Sequence, residues 1–266
     1  MEVITSVTTA SVEVREYLTA TRTYYVRTDG SDSNDGLSNT SGGAFLTIQR
    51  AVNVVCGEID CGNQTVYIQV EDGAYNAPVI LKPFVGTTTV ILRGNLTTPA
   101  NVTINSGTSN AVVATGGRWS IQGFKISTSG TADGLTADGP GRVTFSAMDF
   151  GACGRNQVIA ISGGFIVGTN AYTISGSAFA HIAGSTMSRI ALSGATVTLT
   201  GTPAFGAFVY ASMGSGFEVY TTTFTGSATG KRYDANTNGV IQTNGGGANF
   251  FPGNVAGTTA TGGQYL

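Results

Sequence analysis

Acid–base chemistry on a glycosidic bond needs two carboxylates flanking it. They stand roughly 5–5.5 Å apart in retaining hydrolases and 6.5–9.5 Å apart in inverting ones. Elimination needs a base, with a cation or arginine to neutralise the substrate. The 266-residue chain offers 15 Asp and Glu for such work. Between Phe150 and Phe217 it has none, and the only Lys or Arg there are Arg155 and Arg189. The carboxylates left as catalytic candidates are Asp133, Asp138 and Asp149. Asp133-Gly134 and Asp138-Gly139-Pro140 have the composition of turns in which an aspartate bonds its own backbone. Asp149 points outward if Met148 and Phe150 face the core.

Sugar recognition uses exposed aromatics and polar side chains. Glu218 and Tyr220 are candidates for glycan binding, because they face outward if Phe217 and Val219 face inward. Tyr220 also fits as the last of a series of apolar strand anchors, which would turn it inward, and both readings stand. Trp119 is in phase with Ile121 and reads as core.

Other chemistries find little support. One histidine, His181, reads as a core-edge or turn residue. Three cysteines, Cys56, Cys61 and Cys153, read as free buried thiols, with a small-loop Cys56–Cys61 disulfide as the alternative. Neither the count nor the spacing suits a metal site. The Asp/Asn cluster at 29–36 lacks the closing Glu of a calcium loop, since Gly42 stands there, and reads as a Gly-rich turn. No phosphate-binding loop is present. No cofactor and no metal are expected.

The elements that position these residues are β. Gly and Thr each occur 39 times, Leu ten times and Lys three times. Such a chain cannot form a helical bundle. Charged residues are 11%, against about 25% in ordinary domains. A net charge of −2 without a basic block argues against nucleic acid. No apolar run approaches the ~20 residues of a membrane span. Met1–Ser6 shows no basic leader, which sets the expectation of folding in a cytosol.

One helix is expected. Thr47 serves as N-cap, Ile48, Ala51, Val52 and Val55 form one apolar stripe, and Gly57 suits a left-handed closing residue. From Val66 to about Thr225, short apolar strands recur between Gly, Asn, Ser and Thr. Anchors at Ile121, Phe145, Ile174, Leu199 and Tyr220 are 24, 29, 25 and 21 residues apart. Short strands repeating every 20–30 residues with no helices between them suit a β-solenoid. A β-sandwich is the competing architecture and would show cleaner alternation and hairpin turns. The expected fold is all-β: a single-stranded right-handed parallel β-helix with an N-terminal capping helix and an irregular C-terminal segment. The expected divisions are an arm over 1–22, the capped β-helix over 23–230, and a closing or trimer-contact segment over 231–266.

Two stretches resemble a known family. Tyr25-Val26 … Gly30 … Asp32 … Asn34-Asp35-Gly36-Leu37 … Phe45-Leu46-Thr47-Ile48-Gln49-Arg50-Ala51-Val52 resembles the opening segment and capping helix of pectate-lyase-like right-handed parallel β-helices. Thr229–Tyr233, Asn238–Ile241, Phe251-Pro252-Gly253 and Gly262–Tyr265 resemble the C-terminal segment of β-helical proteins of tailed bacteriophages, of tail-spike, tail-fibre and head-appendage type. The resemblance implies a homotrimeric virion structural protein, assembled in the host cytoplasm and contacting host surface polysaccharide. The arm 1–22 would attach it to other virion proteins. The alternative on the same fold is a polysaccharide depolymerase, hydrolase or lyase. The family's enzymes carry denser acidic clusters than this chain. The uncharged span suggests that residues around 156–217 lie near a threefold axis, where packed faces shed charge.

Overall fold

β-Branched residues and turn-forming Gly and Asn alternate along the chain in units of about one coil, and each coil stacks on the last. The computed structural model describes residues 14–266. They form a right-handed parallel β-solenoid, the hand that parallel crossovers almost always take. Each full coil lays strands on three faces. Arg118–Gln122 lies on the first, Lys125–Ser127 on the second and Leu135–Asp138 on the third; Arg142–Ser146, Asp149–Phe150 and Asn156–Ile161 stack on them in the next coil. The third face alone has eight strands in one sheet. Phe165–Ile174 and Arg189–Leu199 are long strands that cross from the first face to the second. They bend at Asn170 (φ 56°) and Gly194 (φ 63°).

Register makes the core. Val66, Val90, Trp119, Val143, Ile166, Ile190, Phe217 and Ile241 form one inward row on the first face. Each is at most 3% exposed, and each contributes roughly 1.5–3 kcal/mol by burial. Trp119 is core as expected, its indole N–H donating to the carbonyls of Lys82 and Gly116.

The repeat is real, but the anchor series slips between faces. Ile121 and Phe145 are partners on the first face. Ile174 and Leu199 are partners on the second, where Ile174 also stacks on Phe150. Phe145 is followed on its own face by Gly168, which leaves room for the Phe145 and Leu192 side chains. A glycine in the apolar row hid the true partner. Phe179, five residues after Ile174, is exposed on the third face.

The helix Ile48–Gly57 caps the N-terminal end, with the Thr47 hydroxyl accepting from the Arg50 N–H at 3.1 Å. Ile48, Ala51, Val52 and Val55 are buried. Gly57 is not left-handed; the helix runs out through Glu58 in αR geometry. Asp32 fixes the approach to the helix, accepting from Leu46 N, Thr47 N and the Thr47 hydroxyl. Asp29 pairs with Arg27, and Asn34 donates to the carbonyls of Ser41 and Ala44. The 29–36 cluster is thus the frame that seats the cap.

Both expected termini shift. The folded body already includes residues before 23: Glu16–Tyr17 pairs with Ile59–Asp60, and Leu18 is 1% exposed. Apolar Leu18 completes the packing under the cap, which the polar residues around it concealed. Residues 1–13 of the expected arm lie outside the described residues. The tail 231–266, expected as an irregular closing segment, carries short rungs between its loops. Val240–Gln242 and Gln264–Tyr265 add further rungs to the first face, and Thr258–Thr259 adds one to the third. Its Gly runs are the turns of these coils, and Phe251, 1% exposed, fills the core. Among the described residues, no helix is long and apolar enough to cross a membrane.

Candidate functional site

The outward side chains of the first face form rows, because register stacks like positions. One row reads Ser120, Thr144, Val167, Ala191, Glu218, Gln242. Its neighbour reads Arg118, Arg142, Phe165, Arg189, Gly216, Val240. Gly216 interrupts that second row, and a side chain there would meet nothing within 4 Å. The gap opens a hollow of about 410 Å³ bordered by Arg189, Glu218, Gln242 and Met187. Arg189 donates to Glu218 at 3.2 Å.

Tyr220 stands at the end of the same strand, 43% exposed. Phe217 and Val219 are buried, so the outward reading of Glu218 and Tyr220 holds and the anchor reading of Tyr220 does not. The side-chain hydrogen bond to Glu218 raises the Tyr220 phenol above its ordinary range. On the far side of Tyr220 a second hollow of about 410 Å³ is lined by Thr243, Asn244, Gly246 and Phe250. Tyr220, with Arg189, Glu218 and Gln242 on the same face, offers a ring face, a cationic donor, an anionic acceptor and an amide. Those groups suit sugar hydroxyls and sugar faces. Glu218 has Ala191 and Gln242 as its register neighbours, so no second carboxylate stands beside it on the adjoining rungs.

The three aspartates are not brought together. Asp133 lies at the corner entering the third face, where its carboxylate oxygen accepts from the Asn156 N–H (3.0 Å) and amide side chain (2.7 Å). Its own N–H donates to the Asn110 side chain. Asn110, Asp133 and Asn156 are rungs of one ladder, and burial raises the Asp133 pKa against the Asn156 hydrogen bond. Asp138 ends the strand that follows Asp133; at about 3.3 Å per residue the two are roughly 16 Å apart along the chain. Asp149 is on the second face, bonded to Lys125 at 3.0 Å and accepting from the Ser175 hydroxyl. Lys125 also reaches Ser175 at 3.1 Å, so this cluster ties successive coils together. None of these three borders either hollow.

A different polar network lies inside the column. Gln157, His181 and Tyr172 are buried. The Gln157 amide N–H₂ donates to the carbonyls of Phe150, Gly151 and Gly176. Its oxygen must therefore accept, and it faces His181 Nδ1 at 2.8 Å. His181 Nδ1 then carries the proton, and Nε2 accepts from the Tyr172 hydroxyl at 2.9 Å. Burial pushes the His181 pKa down to about 3 and the Tyr172 phenol well up. His181 is thus a fully enclosed core residue, not the core-edge or turn residue expected. Its neighbours Phe150, Phe205 and Phe208 come from other coils, so no local pattern marked it.

Cys56, Cys61 and Cys153 are free and buried. Burial pushes the Cys56 and Cys153 thiols up to about 11. No group of three or more His, Cys, Asp or Glu gathers as a metal site among the described residues. A larger hollow of about 760 Å³ lies beside the cap, but its Arg22 and Arg50 are already paired with Glu16 and Glu58.

No family model and no curated protein matches the chain. Solved structures do. Escherichia coli YbhC superposes with a TM-score of 0.51 at 14% identity, over 91% of this chain and 85% of that one. A pectin methylesterase from Aspergillus niger gives 0.44 at 11% identity, over 96% and 87%. The likeness is one of fold, a parallel β-helix.

Proposed function

We propose that the chain is a β-helical virion structural protein, a spike, fibre or head appendage, that contacts host surface polysaccharide without cutting it. The groove at Arg189, Glu218, Tyr220 and Gln242 carries this reading, since it presents sugar-binding groups around a lone carboxylate. The virion assignment rests on the resemblance of the stretches within residues 229–265 to the C-terminal segment of β-helical phage proteins. Screening the intact chain against bacterial capsular and lipopolysaccharide glycans tests it. A bound glycan is expected to lose about tenfold in affinity in Glu218→Gln and again in Tyr220→Ala, about 1.4 kcal/mol each. Release of new reducing ends, abolished by Asp149→Asn, would instead favour a depolymerase.

Self-association is the second element of the reading. On the outer third face Ile159, Ala180 and Ala183 cluster apart from the main core, with Ile161 and Tyr210 packed on them. Phe179 and Met213 beside them are 48% and 58% exposed. This mostly apolar face, with Arg155 at its edge, is proposed as the contact between three copies about one axis, since a copy of itself brings an equally apolar surface to cover it. Light scattering at micromolar concentration is expected to give three times the chain mass, and Phe179→Asp to reduce it to one. A wild-type monomer would remove the trimer. Attachment to other virion proteins is proposed for the N-terminal arm.

A further inference from the structure

Arg118 and Arg142 are register partners on adjacent rungs of the first face, about 4.8 Å apart at the backbone. Both are exposed. Neither has a salt-bridge partner among the described residues, whereas Arg189, two rungs on from Arg142, has Glu218. Like charges on neighbouring strands repel and lower stability. Among the described residues, no hydrogen bond from either side chain ties a turn or a strand. The same row continues through Phe165, whose ring lies 5.6 Å from the Arg142 guanidinium, to Arg189 at the groove. Cations and an aromatic ring are thus laid in single file along the column, open to solvent on its outer face.

We propose that this row is an anion-binding rail, and that the glycan held at the Glu218–Tyr220 groove is an acidic one whose carboxylate or sulfate groups sit on Arg118 and Arg142. The inference rests on the glycan-binding reading of that groove. Guanidinium forks match planar carboxylates with two parallel hydrogen bonds. An anion lying between the two arginines relieves their repulsion. An extended chain fits the row better than a compact ion, because the cations follow the axis of the column and surround no cavity. A polyanion of duplex shape is less suited to a single file of charges on a chain of net charge −2.

Binding of the intact protein to alginate, neutral dextran and a DNA duplex tests this. Alginate is expected to bind, to weaken as salt rises from low to high ionic strength, and to lose at least tenfold in the Arg118→Gln/Arg142→Gln double variant. The variant is expected to melt no lower than wild type at low salt, because a repulsive contact has been removed. Unchanged alginate binding in the variant would overturn the rail. DNA bound as tightly as alginate, through the same arginines, would also overturn it. Glycans bound through Glu218 with no preference for acidic ones would sink the rail and leave the groove standing. Failure to bind any glycan, in this test and in the wider screen, would sink both.

Discussion

Two of the places where the column buries polar side chains treat them oppositely. Inside, Gln157, His181 and Tyr172 form a closed chain in which each of these contacts pairs one donor with one acceptor. At the corner, the Asn110–Asp133–Asn156 ladder carries a buried carboxylate and ends unfinished. The Asn156 side-chain oxygen has no partner, because the next rung offers Ala180, whose N–H goes to the Arg155 carbonyl. A stacked ladder is satisfied only while the next coil repeats its residue. A network that closes within two coils is not bound by that rule. Neutral, closed networks therefore support the core, while an open ladder with a charge in it weakens the corner.

Acid should separate the two most. His181 is neutral in the fold with a pKa near 3, below its unfolded value of about 6.5. The unfolded chain therefore binds the extra proton between those values, and stability falls as pH drops below about 6.5. The loss approaches on the order of 4 kcal/mol at pH 3. Replacing His181 by Leu removes that titration but strands the Tyr172 hydroxyl and the Gln157 oxygen, at about 1–3 kcal/mol each way of counting one unsatisfied group. Denaturant unfolding from pH 7 to pH 4 should show His181→Leu less stable at neutral pH and less sensitive to acid. Parallel pH curves for the two proteins would break the claim that the inner network is kept neutral.

Sequence carried the architecture further than the sites. The repeat near 24 residues, the Thr47 cap and the inward Trp119 all follow from local periodicity, because each depends on neighbours within one turn or one strand. What failed was pairing across coils. Gly168 stands where an apolar partner of Phe145 was sought, so the anchor series jumped to another face. The C-terminal Gly runs looked irregular because a rung of two residues, such as Gln264–Tyr265, is too short to show alternation. Glu218 and Tyr220 were legible as outward residues once Phe217 and Val219 were assigned inward. The hollow beside them was not, since it depends on Gly216 lying in register with Arg189. The His181 network had no signal at all in the chain, as its members are drawn together from separate coils.

The corner ladder provides the smaller and opposite test. Burial raises the Asp133 pKa, so the ionised carboxylate costs stability above that pKa, and the cost disappears as pH falls and the group takes up its proton. This is the reverse of His181, which loses stability over a falling range. Asp133→Asn keeps an oxygen to accept from the Asn156 N–H and side chain, and it removes the charge. The variant should be more stable than wild type at pH 7 by about 1 kcal/mol, the scale of a single net hydrogen bond. The gain should shrink towards pH 4, which thermal melts at both pH values would show. A lower melting temperature at pH 7 would mean that the charge on Asp133 strengthens the two bonds from Asn156 by more than its burial costs. The ladder would then be held together by its carboxylate, and the contrast with the neutral network inside would have to be drawn from closure alone.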